Sequence, residues 1–147
     1  MTDLTLTAER TIAAPPKAVF DAWLDPAMLT RFMVPGPGMG CPEATSDPKV
    51  GGRFSLLMQA GEDKMPHGGT YREITPHSRI VFTWESPFSA EGSTVTLDFT
   101  PEGAGTHVVL NHVKFVSEES RDNHMGGWTH ILATLDSTLQ AGGENAA

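Results

Sequence analysis

The chain has 147 residues, with ten Lys and Arg against eighteen Asp and Glu for a formal net charge of -8. That length suits one domain that buries roughly 68–70% of its unfolded surface, and the acidic balance, with no clustered basic stripe, excludes a nucleic-acid backbone as partner. The single cysteine, Cys41, excludes an internal disulfide and fits a reducing compartment, and no run of about 18 apolar residues exists to cross a membrane.

The opening MTDLTLTAER carries acid and alternating Thr where a signal peptide needs a basic start and an apolar run, so a cytoplasmic protein is expected. From Leu4 to Ile12 the residues alternate, with Leu4, Leu6, Ala8 and Ile12 on one side, and period two predicts a half-buried strand. Pro15-Pro16 stops that strand and suits the first turn of a helix carrying Val19, Phe20, Trp23 and Leu24. Asp25-Pro26 breaks it, AMLTRFM predicts a second short helix, and the Pro- and Gly-rich VPGPGMGCPEATSDP reads as a long loop. About five strands follow: RFSLLMQA, GTYREIT, RIVFTWES, STVTLDFT and THVVLNHVKF. The stretch AGEDKMPHGG between the first two reads as a polar, Gly-rich turn, and PHS and PEGAG as shorter ones, which gives an antiparallel meander.

Ser117, with Glu118, Glu119 and Ser120 behind it, predicts the start of a long helix, because side-chain oxygens and acids there answer unpaired backbone donors. Met125, Trp128, Ile131, Leu132, Leu135 and Leu139 fall at helical spacing, and Gly142-Gly143 is the expected stop. Gly126-Gly127 interrupts the pattern at about 1 kcal/mol per Gly relative to Ala, so a bend or a close backbone neighbour is expected there. The order predicts an α+β domain spanning residues 1–147, one curved sheet and one long helix burying each other, with space left towards the short helices.

Alternation points Ile80, Phe82 and Trp84 inward, and likewise Phe54, Leu56 and Met58. The strand holding Tyr71 and Glu73 stays open, since each of its faces mixes polar with apolar groups; inward, Glu73 would need a partner such as Arg53. The six histidines include no i,i+4 pair on a helix and no HExxH, so no metal site is expected. His107 and His112, five apart, point to opposite faces of one strand. Ser, His and Asp lack any nucleophile-elbow framing, and Gly51-Gly52 leads into a strand rather than a helix, which makes it a bulge or close contact and not a phosphate loop.

The stretches RTIAAPPKAVFDAWLDP, DPKVGGRF, GGTYREITPHSRIVFTW, GTHVVLNHVKF and HMGGW, in that order, resemble the domain called activator of heat-shock protein 90 ATPase homologue-like, over roughly residues 8 to 140. It belongs to the helix-grip superfamily with START lipid carriers, polyketide cyclases and the major birch-pollen allergen. The resemblance implies an antiparallel sheet gripping a long C-terminal helix around a cavity. Members often carry a Trp pair before a Pro after the second short helix; this chain has Arg31, Phe32, Met33, Val34 and Pro35, which implies less aromatic surface at the mouth. The expected cavity wall is Trp23, Phe32, Phe54, Tyr71, Glu73, Trp84, His124 and Trp128, with ordinary core packing the default for each large side chain. The expected function is binding of a hydrophobic or aromatic small molecule, without cofactor, metal or catalytic residues. A protein-interaction module is the second reading, weakened because the eukaryotic activator uses an additional N-terminal domain and this sequence opens on the first strand. A cyclase-, aromatase- or hydrolase-like enzyme is the third, and would need a polar constellation aimed into the cavity.

Overall fold

The computed structural model describes residues 4–34, 36, 38–86 and 89–146. Strand β1 (Thr5–Ile12) is followed by the short helices α1 (Pro16–Ala22) and α2 (Pro26–Phe32). Six strands come next, β2 (Met39–Ser46), β3 (Arg53–Ala60), β4 (Asp63–Thr75), β5 (Arg79–Thr83), β6 (Thr94–Glu102) and β7 (Gly105–Val113), and then the long helix α3 (Glu118–Ala146). The strands form one curled antiparallel sheet in the order β1-β7-β6-β5-β4-β3-β2, half a barrel closed around α3. This is the α+β helix-grip layout expected from the sequence.

Period two does most of the positioning. Leu6, Ala8 and Ile12 are buried, as are Phe54, Leu56 and Met58, then Ile80 and Phe82, Val95, Leu97 and Phe99, and Val108 and Leu110. Trp128, Ile131, Leu132 and Leu135 of α3 meet this face, each contributing roughly 1.5–3 kcal/mol by leaving water. The exposed Arg10 interrupts the inward row of β1 and reaches Asp136 on α3, Nε to Oδ2 at 3.0 Å, while the Ala13 N–H and Gln140 Nε2 donate to Oδ1. Burial pushes the Asp136 carboxyl up, but these donors more than offset it and hold its pKa below the ordinary value. Ser117 Oγ accepts from the Ser120 N–H at 3.1 Å and caps α3, and Asp25 caps α2 through the Ala27 N–H.

Four local expectations change. The segment read as a long loop contains β2: an edge strand needs hydrogen bonds on one side only, and the bulge between Gly40 and Glu43 accommodates Pro42 without loss. The polar turn after β3 shrinks to Gly61-Glu62, and its remainder extends β4, pairing Met65 with Met58 and Pro66 with Leu57. Pro66 is tolerated because, among the described residues, the ladder from β4 to β5 begins only at Tyr71. Met125, expected on the buried stripe of α3, is 38% exposed. Finally, α3 continues through Gly142-Gly143 to Ala146, since glycine weakens a helix without stopping it.

Gly52 and Gly69 mark close backbone approaches. A Cβ on Gly52 would collide with the Asp47 carbonyl oxygen, and one on Gly69 with the Thr83 carbonyl oxygen and the Phe54 ring. Gly126 differs: a Cβ there meets open space, so the close neighbour expected for it is absent.

Candidate functional site

Helix α3 packs mainly on β1 and α2, which leaves the arm formed by β2, β3 and the first half of β4 without a full cover. Between that arm and the first half of α3 lies a pocket of about 520 Å³. Met39 enters from the start of β2, Met58 from the inner face of β3, and Met65 and His67 from β4 two residues apart. Trp84 stands just beyond β5, and Ser120, His124, Gly127, Trp128 and Ile131 share one helical face opposite. The indoles of Trp84 and Trp128 meet at 4.8 Å and are both buried. Trp84 Nε1 and Trp23 Nε1 find no hydrogen-bond acceptor among the described residues.

The two pocket histidines have fixed tautomers. His67 Nδ1 lies 2.9 Å from the Met65 carbonyl oxygen, and His124 Nδ1 lies 2.7 Å from the Ser120 carbonyl oxygen. A carbonyl only accepts, so Nδ1 carries the proton in both rings and Nε2 is left as the second nitrogen. Burial pushes the His67 pKa below its ordinary value; its bond to Met65 opposes the shift and the nearby His124 adds to it. The His67 ring also stacks against Trp84 at 5.1 Å.

Beneath Trp128 sits a buried polar triad. Trp128 Nε1–H donates to His112 Nδ1 at 3.0 Å, and His112 Nε2 is 2.6 Å from Ser93 Oγ. An indole N–H only donates, so Nδ1 of His112 is unprotonated, Nε2–H points at Ser93, and the ring is neutral. Burial, with the neighbouring His124 adding to it, lowers the His112 pKa to about 3. The triad fixes the orientation of Trp128, one of the pocket's two indoles.

The expected wall residues divide into two groups. Trp84, His124 and Trp128 line the pocket. Trp23, Phe54 and Tyr71 surround, with Leu29, Met33 and Phe82, a void of only about 10 Å³, so they are core. Phe32 is fully buried, edge-on to Trp23 at 5.0 Å. Phe32 and Met33 therefore fill the centre and take no part in a mouth, contrary to the expectation from the resemblance. Tyr71 is inward, its hydroxyl 2.8 Å from Ser46 Oγ, and burial raises its pKa against the effect of that bond. Glu73 is not a wall residue: the register shift after Tyr71 pairs it with Val81, between the inward Ile80 and Phe82, so it takes the outer face and accepts from Thr75 Oγ1. Arg53 pairs with Glu85 at 3.0 Å and not with Glu73.

Met39, Met65 and His67 lie in stretches whose Gly, Pro and charged residues read as loop and turn, and the strand pattern continued back from Gly69 is the signal that puts Met65 and His67 on one face. His112 had a signal too, following Val108 and Leu110 at steps of two. Among the described residues no cluster of three or more His, Cys, Asp or Glu is placed to hold a metal ion. No helix among them is long and apolar enough to cross a membrane.

The profile of the family described as Activator of Hsp90 ATPase homolog 1-like protein matches residues 13–140. Solved structures similar to this chain include an AHSA1-like protein from Aeromonas hydrophila, 25% identical with a TM-score of 0.82, covering 95% of this chain and 94% of that one. A protein from Chromobacterium violaceum is 26% identical with a TM-score of 0.81, covering 91% and 95%. The AHSA1 protein from Silicibacter pomeroyi is 26% identical with a TM-score of 0.79, covering 94% and 99%. No curated protein matches the sequence. With the profile spanning nearly the whole grip of sheet on helix, the chain belongs to the activator of Hsp90 ATPase homologue 1-like family.

Proposed function

We propose that the protein binds a small hydrophobic or aromatic molecule in the pocket between α3 and the β2–β4 arm. The observation that carries this reading is a space of about 520 Å³ walled mainly by thioether, indole and aliphatic side chains. Small-molecule sites span roughly 300–1,000 Å³ and are mostly apolar with a few placed polar groups, here the two imidazoles. Three methionines give the wall unbranched, polarisable side chains that adapt to ligand shape. Neither a protein partner nor a nucleic acid is needed to account for the pocket, and Glu73, the one carboxylic acid among the expected wall residues, is turned away from it.

Thermal-shift screening with neutral aromatic and aliphatic compounds, read alongside native mass spectrometry, tests the reading. A ligand held at about 100 times its Kd stabilises the folded state by about 2.7 kcal/mol. For a chain of this size that raises Tm by roughly 5–10 °C. Ser120→Trp at the rim is expected to remove the shift while leaving the unliganded Tm close to wild type. A broad panel without shifts or bound masses overturns the proposal.

A further inference from the structure

The tautomers and charges of this wall narrow the chemistry of its ligand, an inference that rests on the binding reading above. His67 and His124 each direct Nδ1–H at a backbone carbonyl oxygen, so the group a neutral ring leaves over at each position is an acceptor, Nε2. Donors are scarce: Ser117 and Asn123 are exposed at the rim, and Ser120 is half-buried beside them. No Lys or Arg lines the pocket among the described residues, and its only formally charged side chain is the exposed Glu119.

These features sort ligand classes by the cost of burial. A carboxylate would enter an apolar space without a counter-ion. The start of α3 at the mouth does not offset this, because Ser117 Oγ already answers the Ser120 N–H and Glu118 and Glu119 occupy the first turn. An ammonium would find its sole carboxylate out in solvent. A plain hydrocarbon would leave the imidazole acceptors without donors where it displaces water. A neutral hydroxyl donates to an imidazole nitrogen and carries no charge into the apolar space. A wall that carries two indoles and two imidazoles favours an aromatic partner over a flexible chain.

We propose that the pocket is selective for neutral hydroxyaromatic molecules, a flat apolar body whose phenolic hydroxyl donates to Nε2 of His67 or His124. Anionic acids of the same size are discriminated against, and so are analogues whose hydroxyl hydrogen is replaced.

The test uses the full chain at pH 8, where imidazoles and 2-naphthol are predominantly neutral, with four probes: naphthalene, 2-methoxynaphthalene, 2-naphthol and 2-naphthoic acid. Kd is read from quenching of tryptophan fluorescence and from calorimetry. The expected result is a Kd for 2-naphthol about tenfold below those of 2-methoxynaphthalene and 2-naphthoate, the effect of one net hydrogen bond. His67→Phe and His124→Phe keep a flat ring in place, and the variant that removes the hydroxyl preference while still binding 2-methoxynaphthalene identifies the acceptor. If all four probes bind with 2-naphthol no tighter than its methyl ether, or with 2-naphthoate tightest, this selectivity is refuted and the binding reading survives. If none binds, both fall. The wild-type series alone decides the matter should either variant fail to fold.

Discussion

The buried imidazole of His112 should dominate the acid sensitivity of this protein. Its folded pKa of about 3 lies below the ordinary 6.5, so between those values the unfolded chain takes up a proton that the folded chain refuses. Stability attributable to this group is therefore constant above about pH 6.5 and falls as pH drops towards 3. Proton linkage gives a loss of about 2 kcal/mol at pH 5 and about 3 kcal/mol at pH 4, a large share of the 5–15 kcal/mol typical of a domain. The geometry explains why the folded state refuses the proton: a second N–H on the ring would point at the N–H of Trp128, 3.0 Å away. His112→Gln offers an amide oxygen to Trp128 and an amide hydrogen to Ser93 but does not titrate. It is expected to cost about 1–3 kcal/mol at pH 8 through imperfect geometry, and to be nearly flat where wild type declines. Urea unfolding of both proteins at pH 8, 6, 5 and 4 measures this, because carboxylates common to the two cancel in the comparison. Parallel stability curves from pH 8 to 4 would refute the assignment of a neutral, proton-refusing His112.

Gly69→Ala should destabilise by several kcal/mol or prevent folding, because its Cβ meets a backbone carbonyl and an aromatic ring with no room to yield; circular dichroism melting reads the result. Gly126→Ala should raise stability by about 1 kcal/mol in a urea titration, since the new methyl enters open space on a helix. Asp136→Asn should cost about 1–3 kcal/mol at pH 7, weakening the tie from Arg10 and Ala13 to α3. Its pKa is lowered in the folded state, so the deficit persists above the ordinary value of 3.8 and narrows as pH falls through the folded one, a trend that pH-dependent unfolding will show or exclude.

The sheet was legible wherever one face meets the core and the other does not. β1, β3, β5, β6 and β7 carry that alternation in their residues, and the cap at Ser117 is chemically explicit. β2 was not legible, because Gly and Pro weaken a strand on their own account, and only its position as an outer neighbour of β3, known after folding, makes Pro42 harmless. The bulge in β4 is a backbone event without a residue signature; it separates Tyr71 from Glu73, which simple alternation puts on one face. The site was partly legible for a related reason. Trp84, His124 and Trp128 were identifiable as large or polar groups beside the core, yet nothing in their spacing distinguishes them from Trp23 or Phe54. That distinction depends on how far α3 reaches across the sheet, a property of tertiary packing.

The strand β4 belongs to two ladders, bonding to β3 from Asp63 to Thr70 and to β5 from Tyr71 onward, with a lone bridge between Gly68 and Glu85 at the crossover. Within the sheet the β2–β3 hairpin thus joins β5 only through β4, while α2 closes on β2 from the other side and Phe54 of β3 packs against Phe82 and Trp84. Widening the pocket would therefore mean moving β2 against α2 as well as turning β4 near Gly68–Tyr71, so both walls of the space are braced from behind.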